Sequence, residues 1–190
     1  GGNIIDHGAL HSFDAAKTIE ECFTRDFVVD DYPALADVLQ EPGAEVLYLC
    51  DNCGEIVFDT LLIEQLVAHG CRVTAVVRDE PIINDATLED ARRCGLDRMC
   101  SVMSSGSPCP GTPLGQCTLD FLARFRSADL IISKGMGNFE TLSEEHAPIY
   151  FLFTVKCSQV ALHLTEHQGL PAGLVEGKGE MVLLRQSRDL

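Results

Sequence analysis

Basic residues are scarce in this sequence. Lysine and arginine together number 14 against 29 aspartates and glutamates, which gives a formal net charge of −15 at pH 7. Nucleic acids and anionic lipid surfaces attract clusters of positive side chains and repel a chain with this balance. We therefore expect no nucleic acid and no membrane among its main partners, whereas a small phosphate ester needs only one local basic pocket.

Several familiar patterns are also missing. No apolar run approaches the roughly 20 residues of a transmembrane helix, and the N-terminus has no basic segment followed by an apolar signal. The histidines form no HxH or HExxH pattern, segment 104–107 has no GxSxG context, and no GxGxxG fingerprint follows the first predicted strand. These absences disfavour a membrane protein, a zinc enzyme, a serine hydrolase and a dinucleotide oxidoreductase.

The nine cysteines do not form the pattern of a disulfide or zinc framework. Only Cys50 and Cys53 stand in CxxC spacing, and the others are scattered through apolar segments. An odd number of cysteines also disfavours a fully paired secreted scaffold. We expect reduced, mostly buried thiols and a cytoplasmic location.

What the sequence does contain is an alternation of two hydrophobic periods. Short continuous apolar runs are typical of strands buried on both faces of a parallel sheet, and apolar spacings of three and four residues are typical of helices. The predicted strands are 46–50, 72–77, 100–103, 129–133, 149–153 and 181–184, and the predicted helices are 58–66, 87–94, 114–125 and 156–164. This alternation predicts an α/β fold with a doubly wound, mostly parallel sheet over residues 43–190, preceded by a short helical N-terminal arm over residues 1–42.

Polar residues follow four of the predicted strands directly. Sheets of this kind bind ligands beyond the carboxyl ends of their strands, near the point where the strand order reverses. We therefore expect a site at this edge, drawn from Asp51, Asn52, Glu55, Arg78, Asp79, Asn84, Asp85, Ser133, Lys134, Asn138, Thr154, Lys156 and Cys157.

Asp51 and Asn52 stand between an apolar strand and a helix. Two adjacent oxygen donors, joined by Asp85 from the next crossover, suit a hard divalent cation such as Mg²⁺ or Mn²⁺. Either residue could equally be the N-cap of the helix, and the spacing does not decide between these interpretations. Glu55 could support the site or transfer a proton, although a favourable interaction with the helix dipole explains it more simply.

Two further segments are candidates for ligand binding. Segment 134–138 (KGMGN) follows a buried strand, so Lys134 could place a charge near phosphate oxygens while the glycines let backbone N–H groups approach. A tight turn explains the glycines equally well. Near the chain start, Asn3 and Asp6 could join a site, but a capped turn is the simpler interpretation.

Six segments then combine into one ordered pattern along the chain. They are 2–6 (GNIID), 51–59 (DNCGEIVFD), 83–87 (INDAT), 89–91 (EDA), 133–140 (SKGMGNFE) and 156–157 (KC). Together they resemble the damage-control phosphatase family, long called domain of unknown function 89. The resemblance implies a Rossmann-like α/β/α fold and a metal-dependent phosphatase acting on small phosphometabolites, including sugar phosphates and damaged or side-product phosphates. Because such proteins usually have a longer helical N-terminal part, we expect this chain to be a piece of a longer protein.

The resemblance also implies roles for individual residues. Asp51, Asn52 and Asp85 match ligands of a divalent cation (Mn²⁺, Co²⁺, Ni²⁺ or Mg²⁺), and Lys134 matches the lysine near the phosphate. The implied catalytic residues are Asp51, Lys134 and Glu55. The implied substrate-binding residues of the same pocket are Asn84, Gly135 and Asn138, together with Asn3 and Asp6 of the opening segment. Met136 stands where a polar residue is expected, a change that the backbone tolerates.

Three functions are compatible with these features. The first is phosphomonoester hydrolysis, with either a water activated by the cation or the Asp51 carboxylate as nucleophile, the water being favoured. The second is an S-adenosylmethionine-dependent carboxyl methyltransferase, although no glycine-rich loop follows the first strand. The third is a non-catalytic metabolite-binding module. No feature of the sequence fixes the oligomeric state.

Overall fold

The computed structural model of the protein describes residues 25–186. Its strands are β1 (Val29–Asp30), β2 (Glu45–Leu49), β3 (Arg72–Val77), β4 (Ser101–Ser104), β5 (Leu130–Lys134), β6 (Ile149–Val155) and β7 (Glu180–Arg185). Its α-helices are α1 (Tyr32–Val38), α2 (Ile56–Ala68), α3 (Leu88–Arg93), α4 (Leu119–Ser127), α5 (Met136–Leu142) and α6 (Ser158–His167). No helix in this range is both long enough and apolar enough to cross a membrane.

The strands form one sheet in the order β1-β7-β6-β5-β2-β3-β4. Every neighbouring pair is parallel except β6 and β7, which are antiparallel. The predicted α/β fold with a mostly parallel sheet is therefore confirmed. From β2 the chain first adds β3 and β4 on one side and then returns to add β5 and β6 on the other. The strand order thus reverses between β2 and β5, where a ligand crevice is expected.

Two apolar layers cover the two faces of the sheet. Side chains of successive strand residues point to opposite faces, so in β2 Val46 and Tyr48 join the layer beneath α2 and α3, while Leu47 and Leu49 join the layer beneath α4, α5 and α6. All four are at most 2% exposed. Burying an aliphatic side chain of this size stabilises the fold by about 1.5–3 kcal/mol, which explains why β2 is apolar on both faces.

Two elements differ from the sequence prediction. The predicted helix 114–125 is split, because a 3-10 turn (Leu114–Gln116) ends at the extended residue Cys117. Helix α4 begins only after Thr118, whose side chain accepts a hydrogen bond from the N–H of Phe121 at 3.3 Å and so caps the helix. Segment 134–138, whose glycines could be explained by a ligand-binding loop or by a tight turn, leads into α5, which begins directly after Gly135.

The first described residues contact the main sheet. Strand β1 pairs in parallel with β7, and Leu35 of α1 packs into the apolar layer beneath α2. The division of the chain at residue 42 into a helical arm and a domain stays a prediction.

Candidate functional site

The loop after β3 lies against the loop after β2. The N–H of Cys53 donates to the carbonyl of Asn84 at 2.8 Å, the N–H of Ala86 donates to the carbonyl of Asp51 at 2.8 Å, and Asn52 forms an isolated antiparallel bridge with Asp85. These backbone bonds hold Asp85 opposite Asn52. The three predicted cation ligands, Asp51, Asn52 and Asp85, are therefore brought together at the edge of the sheet.

The Asp51 carboxyl lies in a place that disfavours its ionisation. Burial raises the pKa of Asp51 to about 7, and the charges of Asp85 and Glu55 add to the effect, although Arg78 and Lys134 oppose it. The side-chain amide of Asn52 donates to Oδ2 of Asp51 at 2.7 Å and steadies the carboxylate. An excess of negative charge in a partly buried space is the setting in which a cation is bound most favourably.

Gly135 closes the site from the neighbouring strand. Its φ is +83°, and a Cβ built there would lie 2.1 Å from both Cγ and Oδ2 of Asp51. Any side chain at this position would displace the carboxylate. The glycine predicted at the pocket is thus required by its close approach to Asp51 as well as by its backbone conformation.

Lys134 is the last residue of β5 and is only 6% exposed. Its Nζ donates to Oε1 of Glu55 at 2.5 Å and to Oδ1 of Asp59 at 2.7 Å, and the hydroxyl of Tyr48 also donates to that Asp59 oxygen at 2.7 Å. Burial alone would lower the pKa of Lys134, but the charges of Asp59 and Glu55 hold it above its usual value. Lys134 therefore stays positively charged beside Asp51, Asn52 and Asp85, the group of residues that we call the acidic corner.

Glu55 is the anionic partner that faces this lysine. Burial tends to raise the pKa of Glu55, but the charge and hydrogen bond of Lys134 lower it below its usual value. Glu55 therefore stays ionised at neutral pH, and its main role in this conformation is to hold the lysine in place.

Asn138 joins several strand ends from a buried position. It is 0% exposed, and its Nδ2 donates to the carbonyls of Lys134 at 2.7 Å and Cys50 at 3.3 Å. Its Oδ1 accepts hydrogen bonds from Thr112 Oγ1 at 2.7 Å and from Arg78 at 3.0 Å. The sequence predicted Asn138 as a substrate-binding residue; the structure shows its amide fully engaged by protein groups, so what it does in this conformation is position the strand ends.

The remaining predicted residues are placed as follows. Asn84 is exposed at the tip of the loop after β3, where its backbone carbonyl holds Cys53. Its neighbour Ile83 has φ +50°, a left-handed conformation that is strained for a β-branched residue. Asn3 and Asp6 lie outside the described residues.

Asp59 and Thr112 have important contacts but were not predicted as site residues, and Arg78 was predicted only as a polar residue at the edge of the sheet. Asp59 lies four residues after Glu55, one helical turn on, and this spacing is the signal that could have placed it beside Lys134. Arg78 follows β3 directly, which marked it as a polar residue at the right edge but not as a buried one. Thr112 sits in a loop whose path no periodicity predicts.

The donor set suits a hard divalent cation. Within residues 25–186 no cation site is formed by His, Cys, Asp and Glu side chains alone, since no three of them come together in a way that could hold a metal ion. A site at the corner therefore also needs an amide ligand. The set at the corner has two carboxylates, Asp51 and Asp85, and the amide oxygen of Asn52. Oxygen donors of these kinds bind Mg²⁺, Mn²⁺ and related ions. The residues present therefore fit the predicted cation.

Known proteins share both the sequence pattern and the fold. The family model described as the damage-control phosphatase ARMT1-like domain matches residues 1–170. The chain is 41% identical over 166 residues to the uncharacterized protein MJ0202 of Methanocaldococcus jannaschii, a match that covers 84% of this chain and 55% of that protein. It is 38% identical over 171 residues to the damage-control phosphatase PH1575 of Pyrococcus horikoshii, covering 88% of this chain and 59% of that protein.

A solved structure agrees with these relatives. The crystal structure of a DUF89 family protein, PH1575 of Pyrococcus horikoshii, superposes with a TM-score of 0.84 at 36% identity, covering 98% of this chain and 62% of that one. The chain thus spans between 55% and 62% of the length of these relatives. Since the family model matches most of the sequence and a solved relative shares the fold, this chain belongs to the family of damage-control phosphatase ARMT1-like domains.

Proposed function

We propose that the protein is a phosphatase that hydrolyses small phosphorylated metabolites with the help of a divalent cation. One observation carries the proposal: a buried, positively charged lysine and a set of oxygen donors lie side by side where the strand order reverses. Ser133 is level with Leu49 in the paired strands β5 and β2, so Lys134 and the Asp51 corner leave the sheet together. Phosphoryl transfer needs positive charge around the transferred group, and this pairing supplies it.

The residues of the site have different roles in this reaction. Asp51, Asn52 and Asp85 would hold the cation, which when bound polarises the phosphate and makes a water molecule more acidic. Lys134 places a fixed positive charge beside the oxygens of the phosphate, and Glu55 and Asp59 hold its Nζ in position. Asp51, with its pKa near neutrality, gains or loses a proton easily at its carboxyl oxygens. Glu55 stays ionised because Lys134 lowers its pKa, and it keeps the lysine in position.

The size and charge of the substrate follow from the same features. The formal charge of −15 repels large polyanions, so the site suits a single phosphate ester on a small molecule. Two relatives, one from Pyrococcus horikoshii and one from Archaeoglobus fulgidus, are named damage-control phosphatases. Sugar phosphates and damaged or side-product phosphates are therefore the first classes to assay.

The test is release of inorganic phosphate from p-nitrophenyl phosphate and a panel of sugar phosphates. Turnover should require Mn²⁺, Co²⁺, Ni²⁺ or Mg²⁺ and should stop when EDTA is added. Turnover that ignores EDTA contradicts the cation requirement. Tight binding of S-adenosylmethionine without a cation would favour the methyltransferase, and binding of phosphometabolites without turnover would favour the metabolite-binding module.

A further inference from the structure

Arg78 is a buried cation at the end of β3. Its side chain is only 1% exposed, and each of its three nitrogens has its own partner. Nε donates to Oδ2 of Asp85 at 2.7 Å, one terminal nitrogen donates to Oγ1 of Thr112 at 3.1 Å, and the other donates to Oδ1 of Asn138 at 3.0 Å. Because the planar guanidinium is held in this fork, Arg78 cannot turn away from Asp85 without breaking bonds to two other segments.

The bond to Arg78 limits what Asp85 can offer a ligand. Its Oδ2 is occupied by the guanidinium, whereas in residues 25–186 no hydrogen-bond donor is found at Oδ1. Asp51 is limited in a similar way, because its Oδ2 accepts the side-chain amide of Asn52 at 2.7 Å. An amide has only one oxygen. Each of the three candidate ligands therefore presents a single oxygen to a cation.

The loop that holds Arg78 is itself tightly packed. The N–H of Thr112 donates to Oγ1 of Thr141 at 2.8 Å, and a Cβ at Gly111 would lie 2.3 Å from the carbonyl oxygen of Gly137. The loop around Gly111 and Thr112 therefore has little room to move. A rigid set of single-oxygen ligands suits the small octahedral shell of Mg²⁺, whereas Ca²⁺ takes six to eight oxygens and commonly binds carboxylates through both.

We propose that Arg78 is a specificity-determining residue for the cation: by occupying one oxygen of Asp85, it keeps that carboxylate monodentate and so selects Mg²⁺-sized ions over Ca²⁺. The proposal rests on the cation site of the proposed function but not on any turnover. Arg78 touches neither the cation nor the substrate in this role. It acts through Asp85.

The test is a competition between cations in the complete chain. Mn²⁺ is titrated into the protein and followed by the electron paramagnetic resonance signal of the free ion, and Mg²⁺ or Ca²⁺ is then used to displace it. In Arg78→Lys the preference for Mg²⁺ over Ca²⁺ should fall by about tenfold, the usual size of the effect of losing a residue that orients a metal ligand. Arg72→Lys is the matched control, since Arg72 begins the same strand but is exposed and pairs with Glu45 at the far end. It should leave the preference unchanged.

A second variant covers the case in which Arg78→Lys does not fold. Thr112→Val keeps the bond between Arg78 and Asp85 but removes one support of the guanidinium, so the preference should fall by less than in Arg78→Lys. An unchanged preference in every folded variant overturns the proposal. So does a wild-type protein that binds Ca²⁺ as tightly as Mg²⁺, or that binds neither.

The outcome is separable from that of the proposed function. The protein could lack phosphatase activity and still have a cation preference that depends on Arg78. That result supports this inference and contradicts only the proposed phosphatase function. If the protein is an active phosphatase and its preference for Mg²⁺ over Ca²⁺ does not change in the Arg78 variant, only this inference is contradicted.

Discussion

Gly135 lies so close to Asp51 that the space for a Cβ at position 135 is already filled by the Asp51 carboxyl group, 2.1 Å away. The two residues follow the ends of neighbouring strands, β2 and β5, at the point where the sheet reverses its order. One glycine thus fixes where the central carboxylate of the site can stand, and the site can be perturbed there without removing any of its charged groups.

Gly135→Ala should reduce phosphatase activity by about 100-fold, because a misplacement of a catalytic group by about 1 Å has that effect. The matched control is Gly70→Ala. Gly70 has a similar φ of +88° but no atom within 4 Å of the added Cβ. Gly135→Ala should lose more stability than Gly70→Ala, because φ +83° with ψ 159° is a conformation that essentially only glycine adopts and the added Cβ overlaps Asp51. Only Gly135→Ala should lose activity and cation affinity. Equal loss of activity in the two variants would show that strain alone is responsible.

Asp85→Ala should abolish cation binding and, with it, the cation-dependent turnover. The reason is that the corner loses one of its two carboxylates, and the buried guanidinium of Arg78 loses its anionic partner. Glu80→Ala is a suitable control, since Glu80 lies exposed in the same loop. Calorimetric titration with Mn²⁺ checks the binding. An Asp85→Ala protein that still binds Mn²⁺ with wild-type affinity would remove Asp85 from the ligand set.

Asp51 should make the stability of the cation-free protein fall as pH rises. Its pKa is about 7 in the folded state and about 3.9 in an unfolded chain. Between these values the unfolded state has lost the proton that the folded state keeps, so the free energy of unfolding decreases from about pH 4 to about pH 7. The full effect is at most about 4 kcal/mol.

Urea denaturation in EDTA at several pH values measures this effect. The decrease should be absent from Asp51→Asn, whose side chain does not titrate, and should vanish in the wild type when saturating Mn²⁺ is added. A wild-type protein with the same pH profile as Asp51→Asn would mean that Asp51 ionises normally in the fold.

Lys134→Met should lower the free energy of unfolding by about 3–5 kcal/mol, because it leaves Glu55 and Asp59 as buried charges without a cation. Adding Asp59→Asn should recover part of that stability, since it removes one charge and leaves Tyr48 an oxygen to donate to. Activity should not return in the double variant. Lys178→Met, at an exposed lysine paired with Glu176, should leave stability nearly unchanged.

The placement of the candidate site residues was predictable because parallel strands end at one edge. That rule brought Asp51, Asn52, Asp85 and Lys134 together from separate parts of the chain, and the structure places them there. The rule says nothing about long loops. Thr112 reaches Arg78 from a segment with no periodicity, so neither the burial of Arg78 nor the hold on Asp85 could be predicted.

Helix α5 shows a second limit. Two glycines in KGMGN favour a turn, because glycine has a low intrinsic preference for helix. Phe139 and Leu142 nevertheless bury completely against the sheet, at 1% and 0% exposure. Tertiary packing outweighs the local preference here, and packing depends on neighbours that the sequence does not identify.

The late insertion of β5 beside β2 has a consequence for how the protein is made. Lys134 and Glu55 are in contact although 79 residues separate them along the chain. During synthesis β2 can pair with β3 soon after both leave the ribosome, but its other edge must wait until β4 and the following loop have also emerged. Until then β2 has an edge of unpaired backbone N–H and C=O groups between two apolar faces, the kind of surface that chaperones shield. The acidic corner therefore meets its lysine only late in translation, and a nascent chain that stops before β5 has no complete site.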